Sequence, residues 1–187
     1  MEKVNLPEGS KGLWRIEKFV VDDHDFYSML KGRPVPFGTY TQLYRGPVLV
    51  MSDTPAEMRD HSYPVWKAQN HCLINGLGIG MVLKNVLLQK DVTKVTVVEL
   101  SQDLIDLVSP HYTDPRIEWV CSDALTYTIP KGAHYGMVWH DIWDDLCTDN
   151  LSEMQKLHRK YGRKCEWQCS WGHGYCLRKR KEHAAWV

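Results

Sequence analysis

Residues 71–80, His-Cys-Leu-Ile-Asn-Gly-Leu-Gly-Ile-Gly, constrain this chain more than any other segment. An apolar run enters Gly76-x-Gly78-x-Gly80, and a helix-forming run over 81–89 follows at once. A second apolar run, 94–98, closes on Glu99, 19 residues after Gly80. Strand, glycine turn, helix and strand in that order predict a βαβ unit with a nucleotide site at its first turn. Glycines let the backbone bend sharply and lie against a ligand, because a Cβ there would collide with it. The acid closing the second strand is placed to accept both hydroxyls of a ribose. The competing reading is a glycine turn that serves packing alone.

A chain of 187 residues suits one domain with a small appendage and can bury a core. Its 43% hydrophobic and 25% charged residues are those of a globular protein, which directs attention to sites rather than to bulk composition. The 23 basic and 23 acidic residues cancel, so no whole-molecule field favours nucleic acid or an anionic membrane. No apolar run is long enough to span a bilayer, and Met1-Glu2-Lys3 does not open a signal sequence. A cytoplasmic protein is the expectation. The cysteines at 72, 121, 147, 165, 169 and 176 do not form a disulfide framework and suit a reducing compartment.

Residues 1–66 read as a β-rich extension with a lead-in helix, and 67–187 as a Rossmann-like domain. In the first part, 13–21 is a strand, and 38–44 and 47–51 are a pair joined at Gly46-Pro47. Residues 31–37 read as loop. Thr54-Pro55-Ala56-Glu57 has capping-box spacing with proline at the first helical position, and that helix is expected to fail near Pro64. In the second part, Ser101 caps a helix whose Leu104, Ile105 and Val108 share one face, ended near Pro110. Strands follow at 117–120, 135–139 and 165–171. Asn150 and Glu153 start a helix with Leu151, Met154, Leu157 and Tyr161 on one stripe. Such alternation predicts a three-layer α/β fold with a parallel sheet and right-handed crossovers, shortened after its fifth strand.

Ligands of open α/β sheets lie beyond the carboxyl ends of the strands. Four consecutive strands here end in the glycines, in Glu99, in Asp123 and in His140-Asp141. Each acid alone reads as a solvated loop charge, and their shared register is what singles them out. A purine fits between apolar groups near Leu100 and Ala124, with Asp123 accepting from its exocyclic amine.

These residues carry a resemblance. Leu73-Ile74-Asn75-Gly76-Leu77-Gly78-Ile79-Gly80 resembles the first motif of class I S-adenosylmethionine-dependent methyltransferases. Within that superfamily it is most similar to the spermidine synthase-like group, which also has an apolar residue, here Ile74, two places before the first glycine. Val97-Val98-Glu99-Leu100 with Asp103 and Ile105 resembles that group's ribose-binding strand, Ser122-Asp123-Ala124 its adenine-binding turn, and Asp141-Ile142-Trp143-Asp144 its Asp-x-x-Asp active-site segment. The similarity covers about residues 38–171. It implies S-adenosylmethionine or its decarboxylated form as cofactor, bound by Asn75, Gly76, Gly78, Gly80, Glu99, Leu100, Asp123 and Ala124. It implies Asp141, Asp144 and His140 as catalytic residues, and no metal. Two departures stand out: Asp145 replaces the usual proline, and the last two strands, which help shape the acceptor pocket, are missing or altered.

The first reading is a methyltransferase acting on a small or peripheral polar acceptor. The protein then mainly aligns acceptor and methyl, with Asp141 or His140 as base and Trp143 packed against the acceptor. The second is aminopropyl transfer, in which Asp141 takes an amine proton and Asp144 holds the second ammonium of a diamine. They differ at the cofactor's carboxylate, which only the methyltransferase must accept. The third is a non-catalytic binding module that retains the fold. A nicotinamide-dependent oxidoreductase fits less well, because the glycines alternate strictly instead of following Gly-x-Gly-x-x-Gly. The expected partner is a small-molecule acceptor, an amine among the candidates, with no membrane or nucleic acid and with a second copy available to cover the sheet edge.

Strand alternation also reads His140 as facing the other side of the sheet, in a buried hydrogen bond. Cys165, Cys169, His173 and Cys176 have zinc-ligand types but no Cys-x-x-Cys pair, and read as small hydrophobes. Arg178-Lys179-Arg180-Lys181 reads as a solvated basic tail.

Overall fold

Two kinds of sheet follow from the two sequence patterns. The computed structural model describes residues 1–22 and 34–184. Alternating strands β1 (Gly9–Lys11), β2 (Trp14–Val21), β3 (Gly38–Arg45) and β4 (Val48–Ser52) form an antiparallel meander in that order. β2 and β3 pair from Trp14↔Arg45 to Val21↔Gly38, turning Trp14, Ile16 and Leu43 inward. Gly46, at φ +57°, makes the turn into β4. Part of the expected loop over 31–37 lies outside the described residues, and 34–36 have no regular structure.

The lead-in segment forms two short helices, α1 (Pro55–Asp60) and α2 (Ser62–Lys67), instead of one running to Pro64. Thr54 makes no side-chain cap. Glu57 reaches back to Ser52, accepting from its backbone N–H at 2.7 Å and its hydroxyl at 2.9 Å. The break falls at His61, and Pro64 sits in the first turn of α2, where its missing N–H is not needed.

The parallel sheet consists of β5 (Asn70–Asn75), β6 (Val92–Glu99), β7 (Ile117–Cys121), β8 (Tyr135–His140) and β9 (Cys165–Ser170), in the order β7-β6-β5-β8-β9. Helices α3 (Met81–Leu87), α4 (Gln102–Val108) and α5 (Asn150–Tyr161) connect its strands, and α6 (His173–Ala184) follows β9. The order reverses between β5 and β8, which marks the switch point where such sheets open a crevice. β5 from Cys72 onward and all of β8 are buried on both faces. Ser101 caps α4, accepting from Leu104 N–H at 3.3 Å, and Leu151, Met154, Leu157 and Tyr161 are all buried on α5.

No strand follows β9 among the described residues; the chain turns into α6. The basic run Arg178–Lys181 is therefore helical, with Arg178, Arg180 and Lys181 in solvent. No described helix is long and apolar enough to cross a membrane. The two sheets share one core, in which Val4, Leu6, Trp14 and Ile16 pack with Cys72, Ile74, Ile79 and Val97.

The turns that leave β5 and β8 come close together at Gly76. At φ +94°, a Cβ there would lie 1.9 Å from the Asp141 carbonyl oxygen, whereas Gly132, at φ +80°, faces nothing within 4 Å. Urea denaturation should find Gly132→Ala less stable by about 1–2 kcal/mol, the cost of a left-handed alanine. Gly76→Ala should lose at least ~3 kcal/mol, because backbone must also move. Equal losses at the two positions would contradict the close strand approach.

Candidate functional site

The strand ends at the switch point are tied together before their side chains matter. Gly76 N–H donates to Val98 O at 2.8 Å, Asp141 N–H to Asn75 O at 2.8 Å, and Ser122 N–H to Glu99 O at 2.9 Å. The loops that leave β5, β6, β7 and β8 are thus fixed side by side. With the N-terminal sheet they enclose a cavity of about 500 Å³. Gly76, Gly78, Glu99, Leu100, Asp123, Ala124, Asp141 and Asp144 line it, joined by Arg45 and His61 from the N-terminal segment.

Glu99 is 8% exposed and fastened from two sides. Its Oε2 accepts from Leu77 N–H in the glycine turn at 2.9 Å, and its Oε1 from Ser101 N–H at 2.8 Å. Each oxygen keeps a further acceptor position. Burial pushes its pKa upward, opposed by the N–H groups of Ser101, Leu77 and Leu100 and by the charge of Arg45. Asp123 is held in an Asx turn, its Oδ1 accepting from Leu125 N–H at 2.7 Å. Lys160 of α5 donates to the carbonyls of Ala124 and Leu125 at 2.9 and 3.1 Å, which sets that turn against the helix.

Two carboxylates beyond β8, Asp141 and Asp144, meet cations from outside the parallel sheet. His61, at the α1–α2 break, donates from Nδ1 to the Glu57 carbonyl at 2.8 Å and places Nε2 2.8 Å from Asp141 Oδ2. A carbonyl only accepts, so Nδ1 carries a proton, and the carboxylate favours a second on Nε2. Burial alone would lower the His61 pKa; the charge and hydrogen bond of Asp141 override it and raise the value to about 9. Trp171 stacks on the ring at 5.9 Å and 15°, and Trp139 meets it edge-on at 5.9 Å. Asp144 pairs with Arg45, the last residue of β3, whose guanidinium also lies 5.8 Å from the Trp14 ring. Trp143 is fixed by its indole N–H, which donates to Glu153 at 2.8 Å.

Three candidates do not reach the cavity. His140 is fully buried behind the sheet, with Nδ1 accepting from the Asn75 amide at 2.7 Å and Nε2 3.3 Å from Gln168 Oε1. Burial pushes its pKa down to about 3, so the ring is neutral and sealed from any acceptor; the expected alternative role as base is corrected to a buried hydrogen bond. Asn75 is fully buried and turned to the same histidine. At Gly80 the place of a Cβ is taken by the Tyr112 ring at 2.6 Å, and Tyr112 O–H donates to Ile79 O at 2.8 Å. Close approach at that glycine therefore serves packing. Gly78 lies on the cavity, with Met51 Sδ 2.1 Å from its Cβ position.

The zinc-type residues are spread out. Cys165 and Cys169 lie on β9, Cys176 packs with Leu151 and Met154, and the His173 ring lies against His158 at 4.8 Å. Among the described residues no group of three or more His, Cys, Asp or Glu is arranged to hold a metal ion.

His61 and Arg45 are the site residues that the sequence did not signal. The charge balance they enter is one-sided: Glu57, Glu99, Asp103, Asp123, Asp141, Asp144 and Glu153 line the cavity against these two cations. Such a wall suits a cationic ligand.

No family model matches the chain, and no curated protein matches it. Its fold, a five-stranded parallel sheet with flanking helices plus an N-terminal antiparallel sheet, is similar to that of a spermidine synthase. Spermidine synthase from Thermotoga maritima superposes with a TM-score of 0.52 at 16% identity, over 85% of this chain and 53% of that one. The N-methyltransferase NodS from Bradyrhizobium japonicum, solved in complex with S-adenosyl-L-homocysteine, gives 0.48 at 12% identity, over 60% of this chain and 58% of that one. The chain spans about half the length of the spermidine synthase it resembles.

The His61–Asp141 pair makes stability depend on pH. A histidine that titrates near 6.5 when unfolded and at about 9 when folded stabilises the fold fully below pH 6.5. That contribution is lost as pH rises through 9. Urea titrations at pH 6.5 and 9.5 should therefore show wild type losing up to about 3 kcal/mol relative to His61→Gln. Parallel losses in the two proteins would contradict the charged pair.

Proposed function

We propose that this chain binds S-adenosylmethionine and transfers its methyl group to a small or peripheral polar acceptor. The observation that carries this reading is Glu99, held at the end of β6 by the glycine-turn N–H of Leu77, with acceptor positions left on both oxygens. Those positions suit the two hydroxyls of a ribose. Leu100 and Ala124 on the lining, with Asp123 beside them, suit an adenine and its amine. The excess of carboxylates suits a sulfonium, and about 500 Å³ is within the usual range for a small-molecule site.

When bound, the cofactor supplies an electrophilic carbon on sulfur. The chain's own residues hold, orient and enclose. Trp14, Trp143 and Trp171 on the lining exclude water from the acceptor's approach. Asp141, held by His61, keeps one carboxylate oxygen for an acceptor's polar hydrogen. Alignment of acceptor and methyl is the main contribution of such a site.

The pairing of the Asp-x-x-Asp carboxylates favours methyl over aminopropyl transfer. His61 already balances the charge of Asp141 and Arg45 that of Asp144, so these two carboxylates offer a diamine little unbalanced negative charge. Arg45 also brings a positive charge that tolerates a carboxylated cofactor. Aminopropyl transfer from the decarboxylated cofactor is the second reading, supported by the remaining excess of acids on the cavity wall.

Calorimetry with S-adenosylmethionine, its decarboxylated form and NAD tests the reading. The expected outcome is binding of S-adenosylmethionine that weakens at least ~10-fold in Glu99→Ala, the scale of losing charge-assisted hydrogen bonds. NAD should not bind. A clear preference for the decarboxylated form would favour aminopropyl transfer, and binding of none of the three would overturn the cofactor assignment.

A further inference from the structure

Arg45 and Asp144 come from different sheets and meet over one cavity. Arg45 ends β3 in the antiparallel meander, and Asp144 lies in the turn beyond β8. Their side chains are 46% and 31% exposed, whereas the His61–Asp141 pair is 3% and 18% exposed. These numbers separate two kinds of ion pair. The buried one is locked in place by Glu57 and Trp171. The half-exposed one is screened by water and contributes little to stability, so it opens at small cost.

The position of Arg45 is set from behind. Its guanidinium lies by the Trp14 ring, and Trp14 N–H donates at 2.8 Å to Ser101 Oγ, next in chain to Leu100 and bonded to Glu99 through its own N–H. The Arg45 charge is felt at Glu99 on one side and pairs with Asp144 on the other. One arginine therefore bridges the carboxylate that suits a ribose and the turn beyond β8. Among the described residues it is also the only guanidinium on a lining where acids outnumber cations.

We infer that Arg45 and Asp144 form a recognition site for an α-amino-acid head group, with the ligand carboxylate taken by Arg45 and its ammonium by Asp144. This rests on the proposed S-adenosylmethionine reading and names which part of the ligand these residues select. A guanidinium fork matches a carboxylate with two parallel N–H donors, and a freed aspartate accepts from an ammonium. The internal pair is exchanged for two pairs with one zwitterion, which leaves no charge unmatched. A ligand with only the ammonium would satisfy Asp144 while displacing Arg45 without a partner. The arginine thereby becomes the element that distinguishes a carboxylated thioether nucleoside from a decarboxylated one.

The test is calorimetric binding of three uncharged-sulfur probes: S-adenosylhomocysteine, its decarboxylated analogue S-adenosyl-3-thiopropylamine, and methylthioadenosine, which lacks the head group. Wild type should bind S-adenosylhomocysteine most tightly. Arg45→Ala should weaken that probe about 10- to 100-fold, leave methylthioadenosine within about twofold, and hold or strengthen the thiopropylamine, so that the preference inverts. Arg45→Lys should recover part of the loss, since charge is kept and the fork is not. Asp144→Asn should weaken both ammonium-bearing probes and spare methylthioadenosine, whose retained binding also reports an intact fold. Equal weakening of all three probes by Arg45→Ala, or no change in any, would overturn this assignment while leaving the nucleoside site standing. Failure of wild type to bind any probe, methylthioadenosine included, would overturn the proposed function and this inference together.

Discussion

In the turn beyond β8 the carboxylates of Asp141 and Asp144 stand three positions apart, and cations from the N-terminal segment keep both in place. Without His61 and Arg45, Asp141 and Asp144 would repel one another across a cavity already rich in acids. The His61–Asp141 pair is largely removed from water, and such a pair stands only when its remaining polar atoms are also met. Glu57 meets the second imidazole nitrogen, and two tryptophans enclose the ring. The N-terminal segment is therefore part of the site: it shares a core with the parallel sheet, and its Arg45 and His61 supply the positive charge that the sheet's strand ends lack.

What was legible in the sequence was local. The places of the parallel strands along the chain followed from their apolar runs, and Ser101 announced the α4 cap three residues ahead of the N–H it accepts. The stripe of Leu151, Met154, Leu157 and Tyr161 gave α5 at helical spacing. Glu99 was readable because its place depends only on the length of one βαβ unit. The acids at 123 and 141 followed from the same strand-end rule.

What was not legible depends on distant parts of the chain. His61 reaches Asp141 across 80 positions and Arg45 reaches Asp144 across 99, and no periodicity encodes either meeting. Glu57 bonds back to Ser52 and leaves Thr54 without a side-chain cap, a choice that capping-box spacing does not reveal. Helix α6 has no apolar stripe beyond Cys176 and its neighbour Leu177, so its basic run resembled a tail. Asn75 and Gly80 stand off the cavity lining for a related reason. Their neighbours His140 and Tyr112 arrive from elsewhere and fill the space a ligand was expected to use. The strand-end rule and alternation disagreed at His140, and alternation prevailed because that residue still belongs to β8.

A crystal structure of the protein with S-adenosylhomocysteine tests the central claim most directly. The account predicts the ribose hydroxyls at Glu99, the adenine amine beside Asp123, and the amino-acid head between Arg45 and Asp144, with their mutual ion pair opened. A ligand whose ribose lies away from Glu99, or one bound outside the cavity over the β5–β8 switch point, would contradict it.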